Sequence, residues 1–155
     1  MEKVFEDYFS ELQADMVSIC LEYASKKADM IYIYCSSEAN IISSNFFYCI
    51  NGILVRKHKL NEALNAYEKG SLYDTSGNRQ SAALNFINED IEKIKELCEK
   101  YKRKMPTEMK LIYNVKKNSL VSNYKYDLVY STDAEKTADN AVNEWFDEVQ
   151  HEKAI

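Results

Sequence analysis

Asn45-Phe46-Phe47-Tyr48-Cys49-Ile50-Asn51-Gly52-Ile53-Leu54-Val55-Arg56 is the stretch that decides how this chain folds. Two apolar runs rich in aromatic and β-branched residues flank Asn51-Gly52, the dipeptide that best tolerates the positive φ angles of a type I′ turn. The expectation is a β-hairpin pairing Asn45–Ile50 with Ile53–Arg56. Just upstream, Met30-Ile31-Tyr32-Ile33-Tyr34-Cys35 is too short for an amphipathic helix and apolar on both faces, so it reads as a further strand.

Outward from this β-rich centre the period changes. Val4, Phe5, Tyr8, Phe9, Leu12, Met16, Ile19, Cys20 and Tyr23 recur at steps of three and four, the stripe of a helix ending near Ala24. Ser25-Lys26-Lys27 then supplies cations at the negative end of its dipole. Leu84, Ile87, Ile91, Ile94, Cys98 and Tyr101 mark a second long helix, which Pro106 is expected to stop. Between Lys59 and Gly77 a short helix is permitted around Leu60 to Tyr67, followed by loop. Beyond Pro106, Met109 to Val115 and Leu120 to Tyr130 alternate as two strands around Lys116-Lys117-Asn118-Ser119. A last helix, entered after Ser131-Thr132-Asp133, carries Ala138, Ala141, Val142, Trp145, Phe146 and Val149, with Trp145 expected in the core. The order is α-βββ-α-ββ-α, which indicates a two-layer α+β fold: a mostly antiparallel sheet covered by about three helices.

A chain of 155 residues with 46% hydrophobic content has material for one ordinary core, and Gly 3 and Pro 1 leave little linker to divide it. Residues 1–155 are read as one domain. The 20 basic and 25 acidic residues give a net charge of −5, which repels phosphate backbones and anionic lipid, so neither nucleic acid nor a membrane is the expected partner. No apolar run approaches the ~20 residues that span a bilayer, and no secretory leader is recognisable. Cys20, Cys35, Cys49 and Cys98 form no CxxC and fall among apolar neighbours, which reads as buried free thiols in a reducing cytoplasm.

A search for chemistry returns little. His58 and His151 lie outside any metal-ligand spacing, and no phosphate-cradling glycine loop or nucleophile elbow occurs. The carboxylate pairs Glu89-Asp90 and Asp147-Glu148 read as helix-capping or solvated acids. No catalytic residue, metal or cofactor is therefore assigned. What stands out is the span from Ser131 to Glu152, where Asp133, Glu135, Asp139, Glu144, Asp147, Glu148 and Glu152 face the single base Lys136. Such a run is ordinarily a solvated helix face; as a function, it would steer a basic protein partner. Asp139, Glu144, Asp147 and Glu148, with Asp127 on the preceding strand, are the candidate partner-binding residues. The 12 tyrosines suit an interface, since tyrosine is amphipathic and enriched there.

Pro106-Thr107-Glu108-Met109-Lys110-Leu111-Ile112-Tyr113-Asn114-Val115, Tyr124-Lys125-Tyr126-Asp127-Leu128-Val129-Tyr130 and Glu144-Trp145-Phe146 together resemble the YezG-like immunity or antitoxin family of Gram-positive bacteria. The N-terminal helix, the Ile31 to Cys35 strand and the Ile50-Asn51-Gly52 hairpin follow in the same order, so the resemblance spans most of the chain. It implies a cytoplasmic α+β protein, not an enzyme, that binds and silences a secreted toxin, often a nuclease and then basic. Two alternatives stand beside it: a small hydrolase or nucleotide-modifying enzyme using a carboxylate and His58, and a non-catalytic adaptor subunit.

Overall fold

The computed structural model describes residues 2–130 and 136–154. Helix α1 (Phe5–Tyr23) leads into strands β1 (Met30–Glu38), β2 (Ile41–Ile50) and β3 (Ile53–Arg56), then a 3-10 segment (Lys57–Ala63). Helix α2 (Gly77–Lys100), strands β4 (Glu108–Asn114) and β5 (Ser119–Lys125), and helix α3 (Ala138–Ala154) complete the order. The strands form one sheet, β3-β2-β1-β4-β5, antiparallel at every pairing. This is the expected α+β class and element order. The short helix permitted after Lys59 is instead the 3-10 segment, which begins two residues earlier.

The Asn51-Gly52 turn forms with φ of 53° and 77°, and it sets Ile50 opposite Ile53. A second tight hairpin joins β1 to β2 through Ala39 (φ 50°) and Asn40 (φ 63°), extending both strands past the Cys35 and Asn45 limits expected from apolar content. The extra length is mostly polar: Ser36, Ser37, Glu38, Ser43 and Ser44 continue the ladder with Ile41 and Ile42, because backbone hydrogen bonds can hold a hairpin end together without a fully apolar pattern.

Period-two alternation splits the sheet's side chains. Ile31, Ile33, Cys35, Phe46, Tyr48 and Leu111 join α1 and α2 in one apolar cluster. Tyr32, Tyr34, Phe47, Cys49 and Leu54 meet α3 in another, through Ala141, Val142, Trp145 and Val149. The two expected layers are α1/α2 on the sheet, and α3 adds a third on the opposite face. Trp145 is 5% exposed, its ring 5.0 Å from Phe47 and 5.8 Å from Tyr32. That burial matches the expectation. All four cysteines are buried and unbridged, and burial pushes the Cys35 thiol up to about 12.

Both long helices end without glycine. Ser25 and Lys26 take left-handed φ of 51° and 61° after α1, and Lys102 takes 54° after α2. Lys26 N–H reaches Leu21 C=O at 2.7 Å, and Arg103 N–H reaches Cys98 C=O at 2.8 Å, the closing bonds of Schellman motifs. The end of α2 is therefore set by this turn and not by Pro106, which lies farther on. The cation at the end of α1 is also supplied from elsewhere: Arg79 of α2 donates to Tyr23 C=O at 2.9 Å and Glu22 C=O at 3.2 Å.

Strand β5 stops at Lys125, short of the expected Tyr130. Thr107 N–H donates to Lys125 C=O, and the one Thr107 hydroxyl proton is shared between Lys125 C=O and Asp127 C=O, so the chain bends away there. The carboxylate of Glu38, at the far end of β1, then accepts the amides of Val129 at 3.0 Å and Tyr130 at 3.3 Å. The expected entry to α3 through 131–133 lies outside the described residues. Thr137 Oγ1 accepts the Asn140 amide at 3.3 Å and so caps the helix. Among the described residues, no helix is long and apolar enough to cross a membrane.

Candidate functional site

Strand β4 places Glu108, Lys110 and Ile112 opposite Ser36, Tyr34 and Tyr32 of β1, and opposite Lys125, Asn123 and Val121 of β5. All of these share the sheet face that carries α3. The helix covers the β1–β3 side through Trp145 and stops short of β5. A cavity of about 520 Å³ opens between them, floored by Glu108, Lys110, Ile112, Asn123 and Lys125 and walled by Trp145, Glu148, Val149 and Glu152.

Glu108, 3% exposed, sits at the base of this cleft. The Tyr34 hydroxyl donates to its Oε2 at 2.7 Å, and Lys110 and Lys125 ammonium groups lie 3.7 and 3.8 Å from Oε1. Burial first, and then the bond to Glu108, hold the Tyr34 hydroxyl well above its ordinary pKa, so it stays a neutral donor. Lys110 also lies 5.5 Å from the Trp145 ring centroid. The arrangement is a buried carboxylate held by one hydrogen bond and flanked by two ammonium charges. Sequence reading missed it because Glu108 and Lys110 alternate with Met109 and Leu111 as solvated sheet residues do; only the tertiary structure, with Tyr34 beside it and α3 above the cleft, buries Glu108.

The acids expected to act together are divided by the helix period. Glu144, Glu148 and Glu152 repeat every four residues and share one flank of α3, with Glu148 and Glu152 on the cleft. Glu144 pairs with Lys136 at 3.1 Å. Asp147 is exposed, and Asp139 lies on the other flank, in a smaller cleft beside β3. Asp127 is exposed in the bend after β5. Asp133 and Glu135 fall outside the described residues.

Beside the cleft, β5 is an edge of the sheet. Val121 (56% exposed), Leu120 and Tyr124 stand exposed on it, and Tyr126 and Leu128 (51%) stand exposed on the bend that follows. Lys125 is the one charged side chain of the strand, so this edge lacks most of the devices that keep edges from pairing. Tyr124 is pinned from below, accepting from Gln13 Nε2 at 2.7 Å and packing against Phe9.

The smaller cleft, about 300 Å³, brings His58 and Asp139 together with Asn45, Phe47, Arg56, Lys57, Val142 and Asn143. Partial burial lowers the His58 pKa, and Lys57, Lys59 and Arg56 lower it further, so the imidazole is neutral at pH 7. A third cleft, between α1 and α2, holds Asp15 and Asp90. Asp90 is 3% exposed and its Oδ2 accepts no hydrogen bond among the described residues. Burial, then a hydrogen bond and charge repulsion from Asp15, push its carboxyl up to about 7. No group of three or more potential ligand side chains for a metal occurs among the described residues. No family model and no curated protein sequence matches the chain.

Proposed function

We propose that this protein is a cytoplasmic immunity protein that binds and neutralises a toxin with a basic surface, in keeping with the resemblance of its second hairpin and α3 to YezG-like proteins. The observation that carries the reading is the β5 edge: large apolar side chains stand exposed along the open edge of the sheet, and Val121 shares the face that carries α3 with its Glu144, Glu148 and Glu152 flank. An apolar centre with a charged border has the anatomy of a protein interface, and the acids on the α3 side of that border speed capture of a basic partner. In this reading Glu144, Glu148 and Asp127 border the contact, and Asp139 does not.

The test is co-expression with the protein encoded by the neighbouring reading frame. The wild-type chain should restore growth and co-purify with that protein. Val121→Lys combined with Leu128→Lys should abolish both while leaving the melting temperature nearly unchanged, because both side chains are exposed. Full protection by the double variant would move the interface off β5 and the bend that follows it, and a harmless neighbour that never binds would sink the immunity reading.

A second reading, a small hydrolase, draws on His58 and Asp139 lining one cleft with a neutral imidazole. His58→Ala separates the two: an inhibitor keeps its protection, whereas an enzyme loses its activity.

A further inference from the structure

Arg56 closes β3 and Lys57 opens the 3-10 segment, and both reach into the cleft beside the first turns of α3. Each is held in place by an amide oxygen: Arg56 Nη1 donates to Asn143 Oδ1 at 2.8 Å, and Lys57 Nζ donates to Asn45 Oδ1 at 2.6 Å. The Arg56 guanidinium is also stacked 4.0 Å from the Phe146 ring centroid. Neither cation forms an ion pair among the described residues, although acids outnumber bases 25 to 20 in the chain. Burial lowers the Lys57 pKa, the Asp139 charge opposes this, and the Arg56 charge adds to it. Two half-buried cations fixed by neutral partners, with Asp139 the one acid lining their cleft, leave an excess positive charge that is costly unless an anion completes it.

We propose that this cleft binds a singly charged carboxylate, held by Arg56 and Lys57. The planar guanidinium fork matches the two oxygens of a carboxylate, and one such arginine is already rigidified by its stack and its bond to Asn143. Phe47 and Val142 line the same cleft and take the aliphatic stem. Asp139 sets the class: its carboxylate would face a second negative charge on the ligand, which disfavours the phosphate dianion. The volume, about 300 Å³, is that of roughly ten waters, enough for a short-chain acid or one acidic side chain. The inference does not depend on the immunity reading.

The experiment is a titration of the ¹⁵N-labelled full chain at matched ionic strength with butyrate, with an end-blocked peptide carrying one central glutamate, and with inorganic phosphate at pH 7.5. Saturable shifts of the Arg56 Nε–H and of the Asn45 and Asn143 amide groups are expected with a carboxylate, and weaker ones with phosphate. Tighter binding of the peptide than of butyrate assigns the carboxylate to a polypeptide, and the reverse order to a free small acid. Arg56→Gln and Lys57→Gln should each weaken binding at least tenfold, while Lys59→Gln leaves it unchanged. Asp139→Asn should strengthen it and admit phosphate. Spectra of the variants that otherwise overlay on the wild type show that the fold is kept. Linear, unsaturated shifts that persist in both glutamine variants, or phosphate binding as tight as carboxylate in the wild type, would overturn the proposal.

Discussion

Replacing Asp90 with asparagine should change how stability depends on pH. The Asp90 carboxyl is buried between α1 and α2, and burial together with Asp15 raises it from 3.8 to about 7. In the unfolded chain it returns to the ordinary aspartate range near 4. The folded state therefore holds a proton that the unfolded state has released between about pH 4 and pH 7. Its contribution is fully present below about pH 4, declines as pH rises through that window, and is lost above about 7. About three pH units at about 1.4 kcal/mol each set a ceiling near 4 kcal/mol, and sharing of the proton with Asp15 brings the expected figure to about 2–3 kcal/mol. Asparagine keeps the shape and cannot ionise. Urea unfolding followed by Trp145 fluorescence, at steps from pH 4.5 to 8.5, should show the wild type losing that amount relative to Asp90→Asn, with the variant the more stable protein at pH 8. Parallel stability curves for the two proteins across the window would refute the account of the buried carboxyl.

Trp145→Ala should cost about 3–5 kcal/mol in urea unfolding, because it removes the side chain that joins α3 to Tyr32 and Phe47. Tyr34→Phe deletes the donor to buried Glu108 and should cost about 1–3 kcal/mol, read as a lower urea midpoint at an unchanged slope. Glu144→Lys with Glu148→Lys should slow association with a basic partner and weaken its salt dependence in stopped-flow mixing, with stability altered by less than about 1 kcal/mol. Gly52→Ala should cost about 1 kcal/mol by thermal melting, since φ of 77° strains any side chain there although nothing crowds the new methyl.

Sequence alone determined what rests on local period and local turn chemistry. Asn51-Gly52 fixed one hairpin because few other dipeptides accept two positive φ angles, and stripes of Ile87, Ile91, Ile94 and of Val142, Trp145, Val149 fixed two helices by the face each had to bury. Tertiary structure decided whatever depends on partners distant in the chain. The left-handed Ser25, Ala39, Asn40 and Lys102 carry no glycine signature, so their turns emerge only where the surrounding contacts over-determine the backbone. Alternation said that Glu108 and Lys110 share a face, but not that α3 and Tyr34 would bury one of them. Strand β5 alternates as well beyond Lys125 as before it, and it ends because Thr107 takes the Lys125 and Asp127 carbonyls and Glu38, from another hairpin, takes the amides of Val129 and Tyr130. The Asp15–Asp90 pair and the Arg56–Lys57 cleft arise in the same way. Charge is written residue by residue, whereas desolvation is set by whatever else the fold packs against it.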